Sequence, residues 1–169
     1  MEHLCQQTGA SVVLAFCESG SVITFDQVES RSGLHVVSDI GGRLPLYCTS
    51  LGKAFLAHMS RTGAETLLRS QSMTPFTPHT VTELPALMQE IDRCRADGYA
   101  IENGEYRIGL RSAAAPVYTN EGQARYAVGV IGMFRSVRSE EFTAAVEEVR
   151  AAAAMISAAL GYRMPESAV

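Results

Sequence analysis

Residues 43–57 read RLPLYCTSLGKAFLA, and within them Thr49, Ser50, Gly52 and Lys53 crowd into a single turn. Gly52 followed by Lys53 has the outline of a phosphate loop, but that pattern needs a glycine five residues before Gly52 and a hydroxyl after the lysine. Tyr47 and Ala54 stand there instead, which excludes it. What remains is a helix start. Leu51, Ala54, Phe55 and Met59 fall on one helical face, and Thr49 or Ser50 can serve as N-cap. The first backbone N–H groups of a helix have no acceptor within it and sit at the positive end of its dipole, so they suit a carboxylate or another small anion. Two readings stay open on these residues alone: hydroxyls that merely cap a core helix, or the edge of an anion site.

Cys48 stands just before the same helix start. A thiol there can have a lowered pKa and act as a nucleophile, so the enzyme reading of this chain is a hydrolase or isomerase working through Cys48. Its weakness is the absence of a partner, because His3, His35, His58 and His79 show no spacing that marks a base. Cys5, Cys17, Cys48 and Cys94 match no zinc-ligand pattern, and no metal or cofactor is expected. Cys17 and Cys94 fall at apolar positions, where a reduced thiol behaves as a small hydrophobe. Glu102 and Glu105 are paired carboxylates in a predicted loop. They read as solvated residues neutralised by Arg107 and Arg111, although those arginines could instead hold a carboxylate ligand.

The elements that must carry these residues alternate between strands and helices. SVVLAFCE (11–18) and SVITFDQVE (21–29) form a predicted hairpin across Ser19-Gly20, and LHVVSD (34–39) is a possible further strand. Helices are expected over 50–59, 62–70 and from a Thr82 cap to 97, the last with Leu84, Leu87, Met88, Ile91 and Cys94 inward and Gly98 as its stop. Residues 99–118 read as strand, loop and strand, and 125–134 as another strand. Gly129 and Gly132 in that last strand call for close approach by a neighbouring backbone or a ligand. Ser139 opens a final helix whose Phe142, Val146, Val149, Ala153, Ile156 and Leu160 share one face, closed by Gly161. The simplest assembly is an α+β domain with a central antiparallel sheet flanked by helices.

At 169 residues the chain suits one domain with a real core, and 47% hydrophobic against 19% charged residues excludes a disordered chain. It has no apolar run of about 18 residues and no signal-peptide pattern, so a cytoplasmic protein without a membrane partner is expected. A net charge of −4 without any Lys/Arg block excludes a sequence-independent grip on nucleic acid.

Taken together, three blocks resemble the C-terminal half of IclR-type bacterial transcription regulators: LPL-x-x-T-x-x-GKA-x-LA at 44–57, GYA-x-x-x-x-E at 98–105 and GLRS-x-AAPV at 109–117. The resemblance runs over nearly the whole chain. It implies a GAF-like effector-binding domain over 11–162, preceded by the end of a linker helix over 1–10 and followed by a tail over 163–169. It further implies that the chain is a piece of a longer protein, in which a winged helix-turn-helix comes first and alone touches DNA. Sensing of a small carboxylic acid and assembly into a homodimer or homotetramer are implied in the same way. In the family's effector site, the positions of the Ser50 and Leu51 backbone N–H groups hold the ligand's carboxylate, while those of Glu102, Ser112, Gly129 and Ile131 line the cavity. This chain departs from members that take small keto acids, which often carry Asp for Glu102, Cys for Ser112 and hydroxyl residues for Gly129 and Ile131. A larger, partly apolar acid, aromatic ones included, is the effector such a cavity implies. A purely structural oligomerisation domain is the remaining alternative.

Overall fold

The computed structural model describes residues 1–30 and 39–163. In chain order the elements are α1 (Glu2–Thr8), β1 (Ser11–Glu18), β2 (Ser21–Val28), β3 (Arg43–Leu44), α2 (Ser50–His58), α3 (Arg61–Arg69), α4 (Leu84–Asp97), β4 (Ala100–Asn103), β5 (Arg111–Tyr118), β6 (Ala124–Gly132) and α5 (Glu140–Ala159). The six strands form one antiparallel sheet in the order β3-β2-β1-β6-β5-β4. This is the α+β architecture that the sequence leads one to expect.

Local chemistry explains the first hairpin. Ser19 and Gly20 have φ of 50° and 73°, the left-handed pair that matches a two-residue turn to the twist of its strands. Each face of the sheet then carries its own core. Val13, Ala15 and Ala114 face α2, α3 and α4. Val12, Ala113, Ala115, Val128 and Val130 face α1 and α5. On β5 the small residues Ala113, Ala114 and Ala115 are all buried, so helices can approach that strand from both sides.

Three sequence expectations change. α4 is capped by Glu83 without a side-chain hydrogen bond, not by Thr82; Pro85 lies in its first turn, where its missing N–H costs nothing. Cys17 is exposed, because it sits at the open end of β1. Leu160 is 41% exposed, since it lies beyond the last turn of α5 as its C-cap. The strand expected over 34–39 lies, but for Asp39, outside the described residues, as does the tail after residue 163.

α2 is the centre of the molecule. Every residue from Ser50 to Ala57 is buried, so the single apolar face read from the sequence understates it. Thr49 is the N-cap, extended at φ −122° and ψ 146°. Gly52 is required by packing. A Cβ there would fall on the carbonyl oxygen and Cα of Leu46, so the incoming chain can cross the helix start only over a bare backbone.

Candidate functional site

The start of α2 leaves a definite hydrogen-bond account. Thr49 Oγ1 accepts from the Gly52 N–H at 3.1 Å and donates to the Pro45 carbonyl at 2.7 Å, while the Thr49 carbonyl accepts from the Lys53 N–H at 2.9 Å. Of the four N–H groups that a helix start exposes, those of Ser50 and Leu51 are left without an acceptor among the described residues. Both residues border a cavity of about 200 Å³, walled by β1, β2, β6, residues 39–44 with β3, and the segment from Glu102 to Ser112.

All six residues singled out through the resemblance, Ser50, Leu51, Glu102, Ser112, Gly129 and Ile131, line this one cavity. The register brings them together: Glu102 on β4 lies opposite Ser112 on β5, Ser112 opposite Ile131 on β6, and Ala114 opposite Gly129. For Gly129, the close approach is by backbone. An added Cβ would stand 2.7 Å from the Ala113 carbonyl oxygen and 3.0 Å from the Ala114 Cβ.

Glu102 and Glu105 are buried, not solvated, and neither arginine neutralises them. Arg107 lies over the Tyr106 ring, and Arg111 donates to the Phe134 carbonyl oxygen. The carboxylate of Glu102 accepts from the N–H groups of Glu105 and Tyr106 and from Ser112 Oγ at 3.0 Å, which folds the following loop back onto β4. Burial pushes its pKa above the usual carboxylate range, against the lowering effect of those donors.

Glu105 is met from α2. Lys53, only 1% exposed, places Nζ 2.6 and 2.7 Å from the two carboxylate oxygens of Glu105 and 2.7 Å from Glu90 Oε2. Burial works against the ammonium, but the two carboxylates outweigh it and hold the Lys53 pKa above its ordinary value. Thr77 and Thr80 tie the loop from a third side, donating to the carbonyls of Gly104 and Glu105 at 2.7 and 2.6 Å. The loop that walls the cavity is therefore tied to β5, to α2 and to the segment ahead of α4.

Sequence reasoning overlooked Lys53 once the phosphate-loop pattern was excluded, and it overlooked Thr24, Arg43, Tyr106 and Leu110, which also line the cavity. A lysine inside the apolar run LGKAFLA was the available sign of a buried ion pair. Thr24 gave no such sign. Its hydroxyl is buried without a hydrogen-bond partner, a condition that costs about 1–3 kcal/mol.

Cys48 lacks the exposed, electropositive setting of an activated thiol. Its thiol is fully buried, and burial, seconded by the carboxylates of Glu105 and Glu102, pushes its pKa up to about 12. Among the described residues no cluster of His, Cys, Asp and Glu could hold a metal ion, and no helix is long and apolar enough to cross a membrane.

The chain is thus an α+β domain whose central helix opens onto a cavity, and comparison places it in a family. Residues 1–158 match the model of the bacterial transcriptional regulator IclR, C-terminal part. The chain belongs to the IclR family of bacterial transcriptional regulators. It is 28% identical over 165 residues to the HTH-type transcriptional repressor AllR of Salmonella typhi, covering 98% of this chain and 61% of that protein. It thus spans under two thirds of that relative's length. Among solved structures, the IclR protein of Thermotoga maritima superposes with a TM-score of 0.89 at 28% identity, over 95% of this chain and 65% of that one. An IclR homologue from Microbacterium hydrocarbonoxydans, complexed with 4-hydroxybenzoate, superposes with a TM-score of 0.85 at 25% identity, again over 95% and 65%.

Proposed function

We propose that this chain is the effector-sensing part of a cytoplasmic transcriptional regulator, and that it is not an enzyme. Its ligand is a small carboxylic acid held in the cavity at the start of α2, with Ser50 and Leu51 donating their N–H groups to the carboxylate. Glu102, Ser112, Gly129 and Ile131 form the surrounding wall. The observation that carries this reading is the pair of acceptorless N–H groups at the positive end of a buried helix, bordering a partly open cavity. Arg43 and Arg107 border the same cavity, as do the acidic residues Asp39 and Glu102, so the preference for an anion rests on the backbone N–H pair and not on the side-chain charge of the lining.

The size and lining of the cavity support a compact, partly apolar acid. At about 200 Å³ it falls below the roughly 300–1,000 Å³ of drug-sized pockets. Val13, Leu44, Leu110 and Ile131 supply apolar wall, against which an aromatic or branched body fits better than glyoxylate or pyruvate. The complex of the Microbacterium relative with 4-hydroxybenzoate is in keeping with this. Neither Cys48, with its suppressed thiolate, nor any described metal cluster supplies the chemistry of a catalyst. In the whole protein, DNA is read by a separate winged helix-turn-helix, and the domain assembles into a homodimer or homotetramer.

A thermal-shift and calorimetric screen of small aliphatic, keto and aromatic acids tests the reading. A true effector at about 100 times its Kd stabilises the folded chain by about 2.7 kcal/mol. Absence of any stabilising acid at millimolar concentration overturns the sensor assignment and favours a domain that serves assembly alone.

A further inference from the structure

We infer that the cavity takes up a proton together with its acid, that Glu102 is the group that receives it, and that the chain therefore responds to the acid and to pH jointly. The inference rests on the reading of the cavity as an effector site and adds a coupling to it, not a ligand class.

Glu102 is a buried carboxylate that no cation touches among the described residues. It is 3% exposed and borders the cavity, and its three donors are neutral: the N–H groups of Glu105 and Tyr106 and the hydroxyl of Ser112. The surrounding cations are engaged elsewhere. Lys53 of α2 gives its ammonium to Glu105 and to Glu90 of α4, and Arg107 lies over the Tyr106 ring. Arg111 of β5 donates to the Phe134 carbonyl oxygen, and Arg43 of β3 stands 3.8 Å from Glu18. The other titratable groups on this side of the sheet do not neutralise it. Asp39 is an exposed carboxylate, His79 lies beside Gly104, and Cys48, with its pKa pushed up to about 12, carries no charge.

The two oxygens of Glu102 differ. Oε1 accepts both backbone N–H groups, whereas Oε2 meets only Ser112 Oγ, at 3.0 Å. A hydroxyl can donate or accept, so a proton placed on Oε2 keeps its hydrogen bond once the Ser112 hydroxyl turns to accept it. Glu105 has no such freedom, because Lys53 Nζ meets both of its oxygens.

The bound acid supplies the drive. Ser50 and Leu51 border the same cavity of about 200 Å³ as Glu102, so an acid held at their N–H groups brings a second negative charge close to it. At about 8 Å and an effective dielectric of about 20, this repulsion raises the proton affinity of Glu102 by about thirtyfold. It adds to the upward push that burial already exerts. Between the pKa of the free protein and that of the complex, each acid bound draws one proton from the buffer, and affinity falls as pH rises.

Benzoate and pentanoate, both ionised above about pH 6, provide the test. Each is titrated calorimetrically into the 169-residue chain between about pH 6 and about pH 8, in two buffers of different ionisation enthalpy. Within this range the heat should depend on the buffer with the sign of proton uptake, and Kd should rise by up to about tenfold per pH unit. Glu102→Gln stands in for the protonated carboxyl, since its amide offers an acceptor to the two N–H groups and a donor to Ser112. It should bind with buffer-independent heat and a Kd that does not change with pH, and more tightly than the parent at about pH 8. Buffer-independent heat and a flat Kd in the parent overturn the coupling and leave the carboxylate site standing, whether or not the variant folds. Uptake that persists in folded Glu102→Gln puts the proton elsewhere and overturns the role of Glu102. Binding of neither acid at millimolar concentration counts against the effector cavity itself, and the inference falls with it.

Discussion

Lys53 and Glu105, 52 residues apart in the chain, meet in the interior with Nζ within 2.7 Å of both carboxylate oxygens. The contact joins the end of the first turn of α2 to the loop that walls the cavity, so the start of the helix and that wall are held in one frame. Breaking a buried pair from one side strands the other charge, at about 3–5 kcal/mol. Lys53→Met should therefore destabilise the chain by about that much in urea denaturation. The double change Lys53→Met with Glu105→Leu should recover a good part of the loss, because Glu90 is 28% exposed and can turn to water. A Lys53→Met protein as stable as the parent would mean that the pair is bystander chemistry.

Gly52 tests packing in place of charge. Alanine is a better helix former than glycine by about 1 kcal/mol, so propensity alone predicts a more stable protein. The Leu46 backbone occupies the space that the new Cβ requires, and that backbone is not the far end of a flexible side chain. Gly52→Ala should destabilise the chain by on the order of 3 kcal/mol or more and so lower its thermal midpoint strongly. A midpoint at or above that of the parent would show that α2 and the Leu46 segment can move apart.

Much of this frame is legible in the sequence where it is local, and little of it where it is not. The Ser19-Gly20 hairpin, the Thr49 and Ser139 caps and the inward face of α5 follow from residues within a few positions of one another. The burial of Glu102 and Glu105 does not. Beside Arg107 and Arg111 in a loop, two glutamates look like surface ion pairs, and only the fold shows that their partners are Ser112 and Lys53. The six cavity residues came from likeness to a family, not from spacing. Sheet register alone sets Glu102 beside Ser112 and Ile131. Thr24 could not be found in advance, since an unpartnered hydroxyl is defined by what fails to surround it in three dimensions.

Glu102 gives the site a pH dependence of definite sign. Burial raises its pKa in the folded chain above the 4.5 of a free side chain. Folded protein therefore binds this proton more readily than unfolded protein, and the resulting stability is complete below pH 4.5 and lost as pH rises through the folded pKa. Glu102→Gln can keep the two backbone N–H contacts through its amide oxygen while removing the titration. The stability of the parent minus that of Glu102→Gln should fall as pH rises from about 5 to about 8, measured by denaturation at each pH. A difference that stays constant, or grows with pH, would show that Glu102 is held ionised by its donors.

The carboxylate site itself can be probed by removing one N–H without removing the helix. Ser50 is the first residue of α2, where proline is well tolerated, and Thr49 before it is already extended, as a residue preceding proline prefers. Proline one position later is unsuitable, because it would push Ser50 out of the helical region. Ser50→Pro should leave the fold intact. Its ring would both delete a donor and stand where the anion's oxygen belongs. A charge-assisted hydrogen bond contributes about 1.5–3 kcal/mol, so affinity for whichever acid the screen identifies should fall roughly ten- to a hundredfold, or further if the ring blocks entry. Calorimetric titration beside a thermal melt separates lost binding from lost folding. If folded Ser50→Pro protein binds the acid as tightly as the parent, the carboxylate is held elsewhere in the cavity, and the hydrogen bonds of Thr49 serve only to start a core helix.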